Sequence, residues 1–479
     1  MNDVPERGRH IHLIAICGVG MASLAGLLQS RGYVVSGSDE GIYPPMSTYL
    51  AGLGIQVFSG YTEDHLKGRP DLVVVGNAVS QNNPEVQALL KLRIPYISLP
   101  QALRRFLIGS KKSLVVTGTH GKTTVTSLMV WVLTRAGLDP GFFIGGIPVN
   151  FDGGFEVGNG PWVVVEGDEY DSAYFDKGPK FLHYEPQMVI LTSLEFDHGD
   201  IYRDLDHMKG AFRRLLEIVP PSGTLLVCNR YPAAKEVSRA ARCPVIFYGD
   251  GEPSGWVANN IRAESHRMLF EACYKTRSEG VIELSLIGRY NVENALGAYA
   301  MARELGIRPE VIREAMATFA GVRRRQELKG EVGGITIIDD FAHHPTAVKE
   351  TIAAVRWAYP GHRVWAVFEP RSQTSRRRIF AREFSQALAS ADRIIVAGLY
   401  RPEKIPEGER LSPAALVEEI GRLCEDDRAV FIERADEIAS YVAEHSKSGD
   451  LILVMSNGSF DRVLEKILGL LEARLSALP

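Results

Sequence analysis

The chain has 479 residues, of which 45% are hydrophobic and 23% charged, and its net charge is −4 with a pI near 6.3. This length is too great for one hydrophobic core and predicts two to four domains. The charge balance excludes a basic surface for nucleic acid and a polybasic membrane patch, and no apolar run approaches the roughly 18 residues that span a bilayer. We therefore expect neither nucleic acid nor membrane as a partner.

The cysteines and the N-terminal segment bear on the compartment. Five cysteines are scattered without C-x-x-C spacing, which argues for reduced thiols and against a disulfide framework or a zinc site at these residues. The polar start "MNDVPERGRH" has no apolar run of the kind found in secretory leaders. Both features predict a cytoplasmic protein, and the sequence leaves its oligomeric state open between a monomer and a weak dimer.

The first block, up to residue 108, reads as a small open α/β unit. "HIHLIAICGVGMASLAGLLQSRGYVVSGSDE" gives a strand, a glycine turn, a helical period and a second strand ending at Asp39, and "LVVVGNA" and "PYISL" predict further strands. The turn "GVGMAS" nearly matches the dinucleotide fingerprint, with Ser23 in place of the third glycine and Asp39 19 residues beyond Gly20. A nucleotide-type ligand at the helix N-terminus is predicted, although two glycines could simply form a tight turn.

The second block begins at Leu114 with "LVVTGTHGKTTVTSLMV". The common phosphate loop, G-x-x-x-x-G-K-[ST], would require a glycine where Val116 stands, so this loop is two residues short. Its physical parts are nevertheless present. Gly118 and Gly121 let the backbone approach phosphates, Lys122 can reach the terminal phosphates, and the Thr123 hydroxyl can hold Mg²⁺.

Strands and acidic loops follow in the same block. "WVVVE", "MVILTS" and "GTLLVC" predict a parallel sheet, and residues 254–288 predict an antiparallel patch. Two of these strands run into acidic loops, and the C-terminal edge of a parallel sheet is where ligands bind. Solvated surface loops are the alternative reading. The side chains concerned are Glu166, Asp168, Glu169 and Asp171 in the first loop and Glu195, Asp197, His198 and Asp200 in the second.

The third block starts near Gly330 and reads as another doubly wound α/β unit. "ITIIDD", "RVWAVFE", "RIIVAG" and "DLILVMS" predict four strands. The first ends in "IIDDFAHHP", which carries Asp339, Asp340, His343 and His344. The run "GVRRRQ" (Arg323, Arg324, Arg325) is either a solvated charge cluster or a source of an arginine for phosphoryl charge in an interdomain cleft.

Together these stretches resemble the Mur ligase family of peptidoglycan biosynthesis. The family loop G-T-[HN]-G-K-T-[TS] matches "GTHGKTT" at every position, and the resemblance follows the three blocks over nearly the whole chain. It implies a three-domain α/β architecture. The domains would be a Rossmann-like UDP-N-acetylmuramate-binding domain (1–108), a P-loop ATP-binding domain (109–325) and a Rossmann-like domain that receives the incoming amine or peptide (326–479).

The branch of the family is indicated by further stretches. The histidine of "GTHGKTT" and the opening "HIHLIAICGVGM" resemble the branch that ligates to UDP-N-acetylmuramate. "IYPPMST", "FIGGIPVNF", "DEYDSAYFDKGPKFLHY", "LEFDHGDIY", "FEPRSQTSR" and "VMSNGSF" resemble members that attach L-Ala-γ-D-Glu-meso-diaminopimelate in murein recycling. The L-alanine-adding members are the alternative, although they usually carry P-H-R-Y-T-R at "PRSQTSR" and lack "SNGSF".

The resemblance implies roles for individual residues, with ATP and Mg²⁺ as cofactors. The implied ATP-binding residues are Gly118, Thr119, His120, Gly121, Lys122, Thr123, Thr124, Asn291, Asn294, Arg325 and Asp340. The implied catalytic residues are Lys122, His198, Arg325, His343 and His344. The implied Mg²⁺ ligands are Thr123, Glu166 and His198. The implied UDP-sugar residues are Gly18, Gly20, Met21, Ser38 and Asp39, and the implied peptide-binding residues are Arg371, Ser456 and Asn457.

Some alternatives remain open at this level. Glu166 and Glu169 share one acidic loop, so either could be the Mg²⁺ ligand, and either His343 or His344 could take the amine proton. Several family members use a carbamylated lysine where this chain has Arg213, so none is assigned.

The implied reaction is ATP-dependent amide ligation through an acyl phosphate, with closure of the C-terminal domain over the substrates. Two other classes compete with a ligase. A nicotinamide-dependent oxidoreductase would leave "GTHGKTT" unexplained, and a nucleotide switch would leave the third block without a role.

Overall fold

The protein is described by a computed structural model that covers residues 8–250, 255–264 and 266–476. Three α/β units follow one another along the chain, each built around its own sheet, which confirms the predicted three-part α/β architecture. The predicted domain limits at 108 and 325 lie in segments between the sheets. Most of the stretch "MNDVPERGRH", on which the absence of a secretory leader was predicted, lies outside the described residues.

The first sheet has five parallel strands in the order β3-β2-β1-β4-β5. The strand order reverses beside β1, and ligands of open α/β sheets bind in the crevice at such a point. The strands are β1 His10–Ile14, β2 Val34–Asp39, β3 Gln56–Ser59, β4 Leu72–Val75 and β5 Tyr96–Ser98. The helices are α1 Val19–Ser30, α2 Met46–Gly52, α3 Pro84–Leu92 and α4 Leu99–Leu103.

The central unit contains a ten-stranded sheet, in the order β17-β16-β15-β14-β13-β12-β6-β9-β7-β8, and a separate hairpin, β10-β11. The strands are β6 Lys112–Thr117, β7 Gly141–Phe143, β8 Phe155–Glu156, β9 Trp162–Gly167, β10 Asp171–Ala173, β11 Asp176–Pro179, β12 Pro186–Leu191, β13 Thr224–Cys228, β14 Val245–Tyr248, β15 Trp256–Glu264, β16 Arg267–Tyr274 and β17 Arg277–Leu284. The helices are α5 Lys122–Arg135, α6 Leu205–Ile218, α7 Pro232–Val237, α8 Arg289–Glu304 and α9 Pro309–Thr318.

The pairing within this sheet places the phosphate loop. Strand β6 pairs in parallel with β12 on one side and β9 on the other, so the loop after β6 lies between the two acidic loops. These strands are buried on both faces, which explains their continuous apolar runs. The antiparallel patch predicted for 254–288 is confirmed by the β15-β16-β17 meander, while residues 254 and 265 lie outside the described residues.

The C-terminal sheet has the order β18-β19-β23-β20-β21-β22, parallel except for β18. The four predicted strands are present, and two half-exposed ones, β18 and β22, were not predicted. The strands are β18 Glu327–Val332, β19 Ile335–Asp340, β20 Arg363–Phe368, β21 Arg393–Ala397, β22 Ala429–Ile432 and β23 Asp450–Met455. The helices are α10 Pro345–Ala358, α11 Ala381–Leu388, α12 Pro413–Cys424, α13 Ala435–His445 and α14 Val463–Ser476.

Two composition-based expectations concern the whole chain. All five cysteines are free thiols, as expected from their spacing. Among the helices of the described residues, none is both long enough and apolar enough to cross a bilayer.

Candidate active site

The phosphate loop connects the buried strand β6 to helix α5. Gly118 and Gly121 have φ values of +133° and +82°, which side chains rarely adopt. A Cβ at Gly118 would lie 2.7 Å from the Ser193 backbone nitrogen, and one at Gly121 would lie 2.5 Å from Asn294 Oδ1. Both glycines are therefore required for the close packing of the loop, and the loop leads directly into a helix N-terminus that favours phosphate.

Lys122 is held by a buried carboxylate. Its Nζ donates to the Gly118 carbonyl at 2.6 Å and to Glu169 Oε2 at 2.9 Å, and Glu169 Oε1 lies 3.2 Å from His198 Nε2. Although burial opposes ionisation, Lys122 and His198 lower the pKa of Glu169 to about 2. Burial likewise disfavours charge on His198, but the bond to Glu169 raises its pKa to about 9. Glu169 thus fixes both cationic side chains.

Glu166 has a different environment, although it lies only three residues away. Its Oε1 accepts from the Gly145 backbone N–H at 3.2 Å, and it also bonds the Thr123 hydroxyl. Burial and the neighbouring Asp168 raise its pKa to about 7. Within the described part of the chain Glu166 forms no salt bridge. A hydroxyl beside a carboxylate that is not held in a salt bridge is an oxygen donor set that suits Mg²⁺, so these residues fit the ion.

The second acidic loop joins the central unit to the C-terminal one. Asp197 is 5% exposed and accepts a short hydrogen bond from the Thr374 hydroxyl, as well as the His198 backbone N–H. Although burial acts in the opposite direction, the nearby histidines hold the pKa of Asp197 well below its usual range. Glu195, two residues earlier, bonds His120 Nε2 of the phosphate loop at 2.8 Å.

The histidine pair follows β19 and reaches the phosphate loop. The ring of His344 lies 4.8 Å from that of His120, and its Nδ1 accepts the Thr346 N–H at 3.3 Å, capping α10. Burial and His120 lower the pKa of His344 to about 4. His343 Nδ1 lies 2.9 Å from the Phe341 carbonyl, and burial lowers the pKa of His343 as well. Both rings are therefore neutral near pH 7.

Two arginines of the run, Arg324 and Arg325, contact different groups. Arg324 bonds Asp339 at 3.2 Å and the Ser456 carbonyl at 2.7 Å, which fastens the link to the C-terminal sheet. The Arg325 guanidinium lies 4.6 Å from the centre of the Phe341 ring, and its charge favours ionisation of both Glu166 and Asp340. Of the two, Arg325 is the arginine whose charge is directed to the acidic loop beside the phosphate loop.

The asparagine pair and Asp340 connect the phosphate loop to this link. Asn294 donates to Asn291 Oδ1 at 3.2 Å, and Asn291 donates to Gln326 at 3.0 Å. Asp340 accepts the Gln326 and Ala342 backbone N–H groups, both at 2.8 Å. Asn294 packs against Gly121, so a chain of polar contacts runs from the phosphate loop to β19.

The residues predicted to hold a UDP-sugar lie around the first glycine turn. Gly18 caps α1, Gly20 and Met21 form its first turn, and Asp39 accepts the Cys17 N–H at 2.9 Å and the Gly41 N–H at 2.8 Å. The Ser38 hydroxyl is turned into the core, where it donates to the buried Glu85 at 2.6 Å. Ser38 therefore offers no exposed hydroxyl and supports the turn from inside.

The predicted peptide-binding residues form a compact group in the C-terminal unit. The Arg371 guanidinium lies 3.7 Å from the centre of the Tyr400 ring and 3.3 Å from Glu369 Oε1. Glu369 also accepts a short bond from Ser456, and a Cβ at Gly458 would overlap Arg371. Asn457 Oδ1 is buried and has no partner among the described residues. The group presents one guanidinium and one unsatisfied amide oxygen.

Comparison with known proteins agrees with this arrangement. Family models match for the Mur ligase family catalytic domain (residues 10–111), the Mur ligase middle domain (163–302) and the Mur ligase glutamate ligase domain (324–458). A UDP-N-acetylmuramate–L-alanyl-γ-D-glutamyl-meso-2,6-diaminoheptandioate ligase of Escherichia coli strain K12 is 39% identical over 96% of this chain and 97% of its own. The chain belongs to the Mur ligase family.

Two further relatives of this Mur ligase bear on its branch. The UDP-N-acetylmuramate–L-alanine ligase of Carboxydothermus hydrogenoformans is 34% identical over 96% of each chain. The crystal structure of a murein peptide ligase from Psychrobacter arcticus 273-4 is similar with a TM-score of 0.74 and 34% identity, over 97% of this chain and 99% of that one.

Some contacts of this Mur ligase were not predicted from sequence. Glu369, Thr374 and Glu85 are buried partners of site residues, and only structure brings them there, since no spacing rule links residues so far apart in the chain. Arg213, which was predicted to stand where some family members carry a carbamylated lysine, pairs with Glu236 at 2.7 Å.

Proposed function

We propose that this Mur ligase uses ATP to join the lactyl carboxyl of UDP-N-acetylmuramate to the free amine of L-Ala-γ-D-Glu-meso-diaminopimelate, in peptidoglycan recycling. The observation that carries the proposal is the meeting of the phosphate loop and the C-terminal histidine pair in one cleft, with His120 and His344 4.8 Å apart. An acid and an amine condense only if the acid is activated, and this cleft places activating and accepting groups together.

The chemistry runs in two steps. The lactyl carboxylate attacks the γ-phosphate of ATP and gives an acyl phosphate with release of ADP. The tripeptide amine then attacks the acyl carbon, loses a proton and expels phosphate. Lys122 and Arg325 offset the charge that develops on the phosphoryl oxygens. Closure of the C-terminal domain excludes water, which would otherwise hydrolyse the acyl phosphate.

Mg²⁺ would be held by Thr123 and Glu166. His198, the third predicted ligand, is held as a cation by Glu169 and would have to lose its proton before it could bind the ion. When bound, it supplies Lewis-acid stabilisation of phosphoryl charge. Glu169 is assigned a different role, because it is already committed to Lys122 and His198. It holds the lysine in place until phosphate oxygens arrive.

His343 is the better candidate for the amine proton. The 2.9 Å contact of its Nδ1 with a carbonyl oxygen requires a proton on Nδ1, which leaves a lone pair on Nε2. His344 accepts at Nδ1 from the Thr346 N–H, so its Nε2 carries the proton. The lowered pKa of His343 keeps it in the neutral form that a proton acceptor needs.

The identification of the tripeptide as the acceptor rests on the group of Arg371, Ser456 and Asn457 in the C-terminal unit. Arg371 fits a carboxylate of the peptide, and it is held ready by Tyr400 and Glu369. The higher identity to the tripeptide ligase, 39% against 34% for the L-alanine ligase, favours the same acceptor. Addition of L-alanine to UDP-N-acetylmuramate is the second candidate. Since ATP and the nucleotide sugar are cytoplasmic metabolites, we place the reaction in the cytoplasm.

The test measures phosphate release from ATP in the presence of Mg²⁺ and UDP-N-acetylmuramate, with either L-alanine or L-Ala-γ-D-Glu-meso-diaminopimelate as acceptor. The mass of the product is determined by mass spectrometry. Turnover with the tripeptide alone is expected. Turnover with free L-alanine alone would make the chain the de novo enzyme, and no turnover with either would remove the acceptor assignment.

A further inference from the structure

Three side chains from separate segments meet where the central and C-terminal units touch. His120 belongs to the phosphate loop, Glu195 follows β12, and His344 precedes α10. One potential ligand atom from each lies within 4.8 Å of the others, and His120 Nε2 and Glu195 Oε2 are only 2.8 Å apart. His120 and Glu195 lie 75 positions apart within the central unit, where β6 pairs with β12. His344, 149 positions beyond Glu195, joins them through the contact between the two units.

The spacing of these atoms approaches that of a metal site. Zn–N and Zn–O bonds of about 2.0–2.2 Å in a tetrahedron place ligand atoms about 3.3 Å apart. Separations of up to 4.8 Å in the cluster must therefore shrink by up to about 1.5 Å, and the 2.8 Å contact of His120 with Glu195 must widen by about 0.5 Å. To bind a metal, the buried His344 must give up one of its two hydrogen bonds, to the Phe196 carbonyl or to the Thr346 N–H, and both are long at 3.3 Å.

We propose that His120, Glu195 and His344 form a binding site for a divalent transition metal, with Zn²⁺ as its best occupant. Two imidazoles and one carboxylate are the ligand set of many zinc sites, whereas Mg²⁺ prefers oxygen donors throughout. Its three ligands are different residues from the oxygen donors Thr123 and Glu166. Three protein ligands leave the fourth position open to water or to a phosphate oxygen.

The charges around the cluster favour a cation. Glu195 contributes its own carboxylate, and the buried Asp197 acts on His344 from the same loop. Asp197 also accepts the Thr374 hydroxyl. A metal in the cluster would therefore lie beside the polar contact that already joins the two domains.

The consequence of occupancy is conformational. Two ligands come from the central unit and one from the C-terminal unit, so a bound ion would tie the domains in the arrangement that the structure shows. Since the ligase must open to exchange substrates and products, Zn²⁺ in this site would slow turnover. Zinc binding itself needs neither substrate nor turnover, so the site can be tested independently of the proposed ligase reaction.

The experiment is a Zn²⁺ titration of the chelator-stripped full-length protein in competition with a chromophoric chelator, together with the visible spectrum of the Co²⁺-loaded form. We expect one site, a tetrahedral Co²⁺ spectrum, and at least about 100-fold weaker binding in His120→Gln, Glu195→Gln and His344→Asn, because even residues behind the ligands typically contribute 10–100-fold. Asparagine keeps the capping role of His344, so this variant retains the start of α10.

Two control variants test whether the loss of Zn²⁺ binding is specific to the three proposed ligands. His445→Gln removes an exposed histidine, and Glu166→Gln disables the proposed Mg²⁺ site; both should bind Zn²⁺ as the parent does. Circular dichroism confirms that each variant is folded. Unchanged affinity in both His120→Gln and His344→Asn would overturn the proposal, as would loss of Zn²⁺ binding in Glu166→Gln. Small-angle scattering should show a smaller radius of gyration with Zn²⁺ in the parent and in the two control variants, and no change in the three ligand variants.

Discussion

Replacing Glu169 with glutamine tests whether Glu169 positions Lys122 while Glu166, in the same acidic loop, serves Mg²⁺. The carboxylate is fully buried and its pKa is about 2, against an ordinary 4.5. At about 1.4 kcal/mol per pKa unit, the ionised form stabilises the fold by about 3 kcal/mol. Removing one partner of a buried ion pair costs about 3–5 kcal/mol, which agrees. We therefore expect Glu169→Gln to lower the melting temperature of the central domain by about 6–12 °C.

The pH dependence follows from the direction of the pKa change. A depressed carboxyl pKa stabilises the folded state above pH 4.5, and this contribution is lost as the pH falls toward 2. The difference in melting temperature between the parent and Glu169→Gln should thus reach its full size at pH 7 and shrink below pH 4.5. Differential scanning calorimetry at a series of pH values, without nucleotide or Mg²⁺, measures it.

Glu166→Gln is the matched variant, with the opposite expectation. The pKa of Glu166 is raised to about 7, so its ionised form destabilises the fold increasingly from pH 4.5 to 7 and fully above that. Glutamine should leave the melting temperature unchanged at pH 4.5 and raise it at pH 8, while abolishing the added stability from Mg²⁺ and ATP. If Glu166→Gln loses 6 °C or more while Glu169→Gln matches the parent, the two roles have been assigned the wrong way round.

Three further changes probe other contacts. Gly121→Ala adds about 1–2 kcal/mol of backbone strain and a clash with Asn294, so the affinity for ATP should fall while that for UDP-N-acetylmuramate is retained, as measured by calorimetric titration. Thr374→Val removes a hydrogen bond to the buried Asp197, worth about 1.5–3 kcal/mol; kcat should fall about 10–100-fold, and scattering should show a larger particle. Glu85→Gln weakens the buried hydrogen bonds to His12 and Ser38 and should destabilise the first sheet by about 1–3 kcal/mol. Amide exchange in β1 and β2 should therefore accelerate, and unchanged exchange would contradict this.

The sequence predicted local features of the site better than long-range ones. The phosphate loop was recognised because its glycines, Lys122 and Thr123 are adjacent between a strand and a helix. The carboxylate that pairs with Lys122 was not recognised, because the loop after β9 carries several carboxylates in a short stretch. Which of them faces the lysine depends on the β10-β11 hairpin and on His198, which follows a different strand.

The same reasoning explains what was missed in the first sheet. Glu85 stands in the first turn of α3, a position where acids usually favour the helix dipole at the surface. Here it is fully buried and bonds His12 at 2.7 Å and Ser38 at 2.6 Å. Burial of a carboxylate depends on its partners, and His12 lies 73 residues away. Strand β3 escaped prediction because its burial is only partial and its apolar run is short.

The contacts between the central and C-terminal units suit domains that separate and close again. Asp197 meets Thr374, and Arg230 bridges Glu293 of the central unit and Glu350 of α10. Water can satisfy these polar groups when the domains part, and the apolar contacts across the same boundary include Phe196 with Phe380 and Tyr290 with the C-terminal core. The groups proposed for phosphoryl transfer and for proton acceptance are then assembled only on closure. In the proposed reaction, an activated carboxyl escapes hydrolysis because activation and acceptance share one closed state.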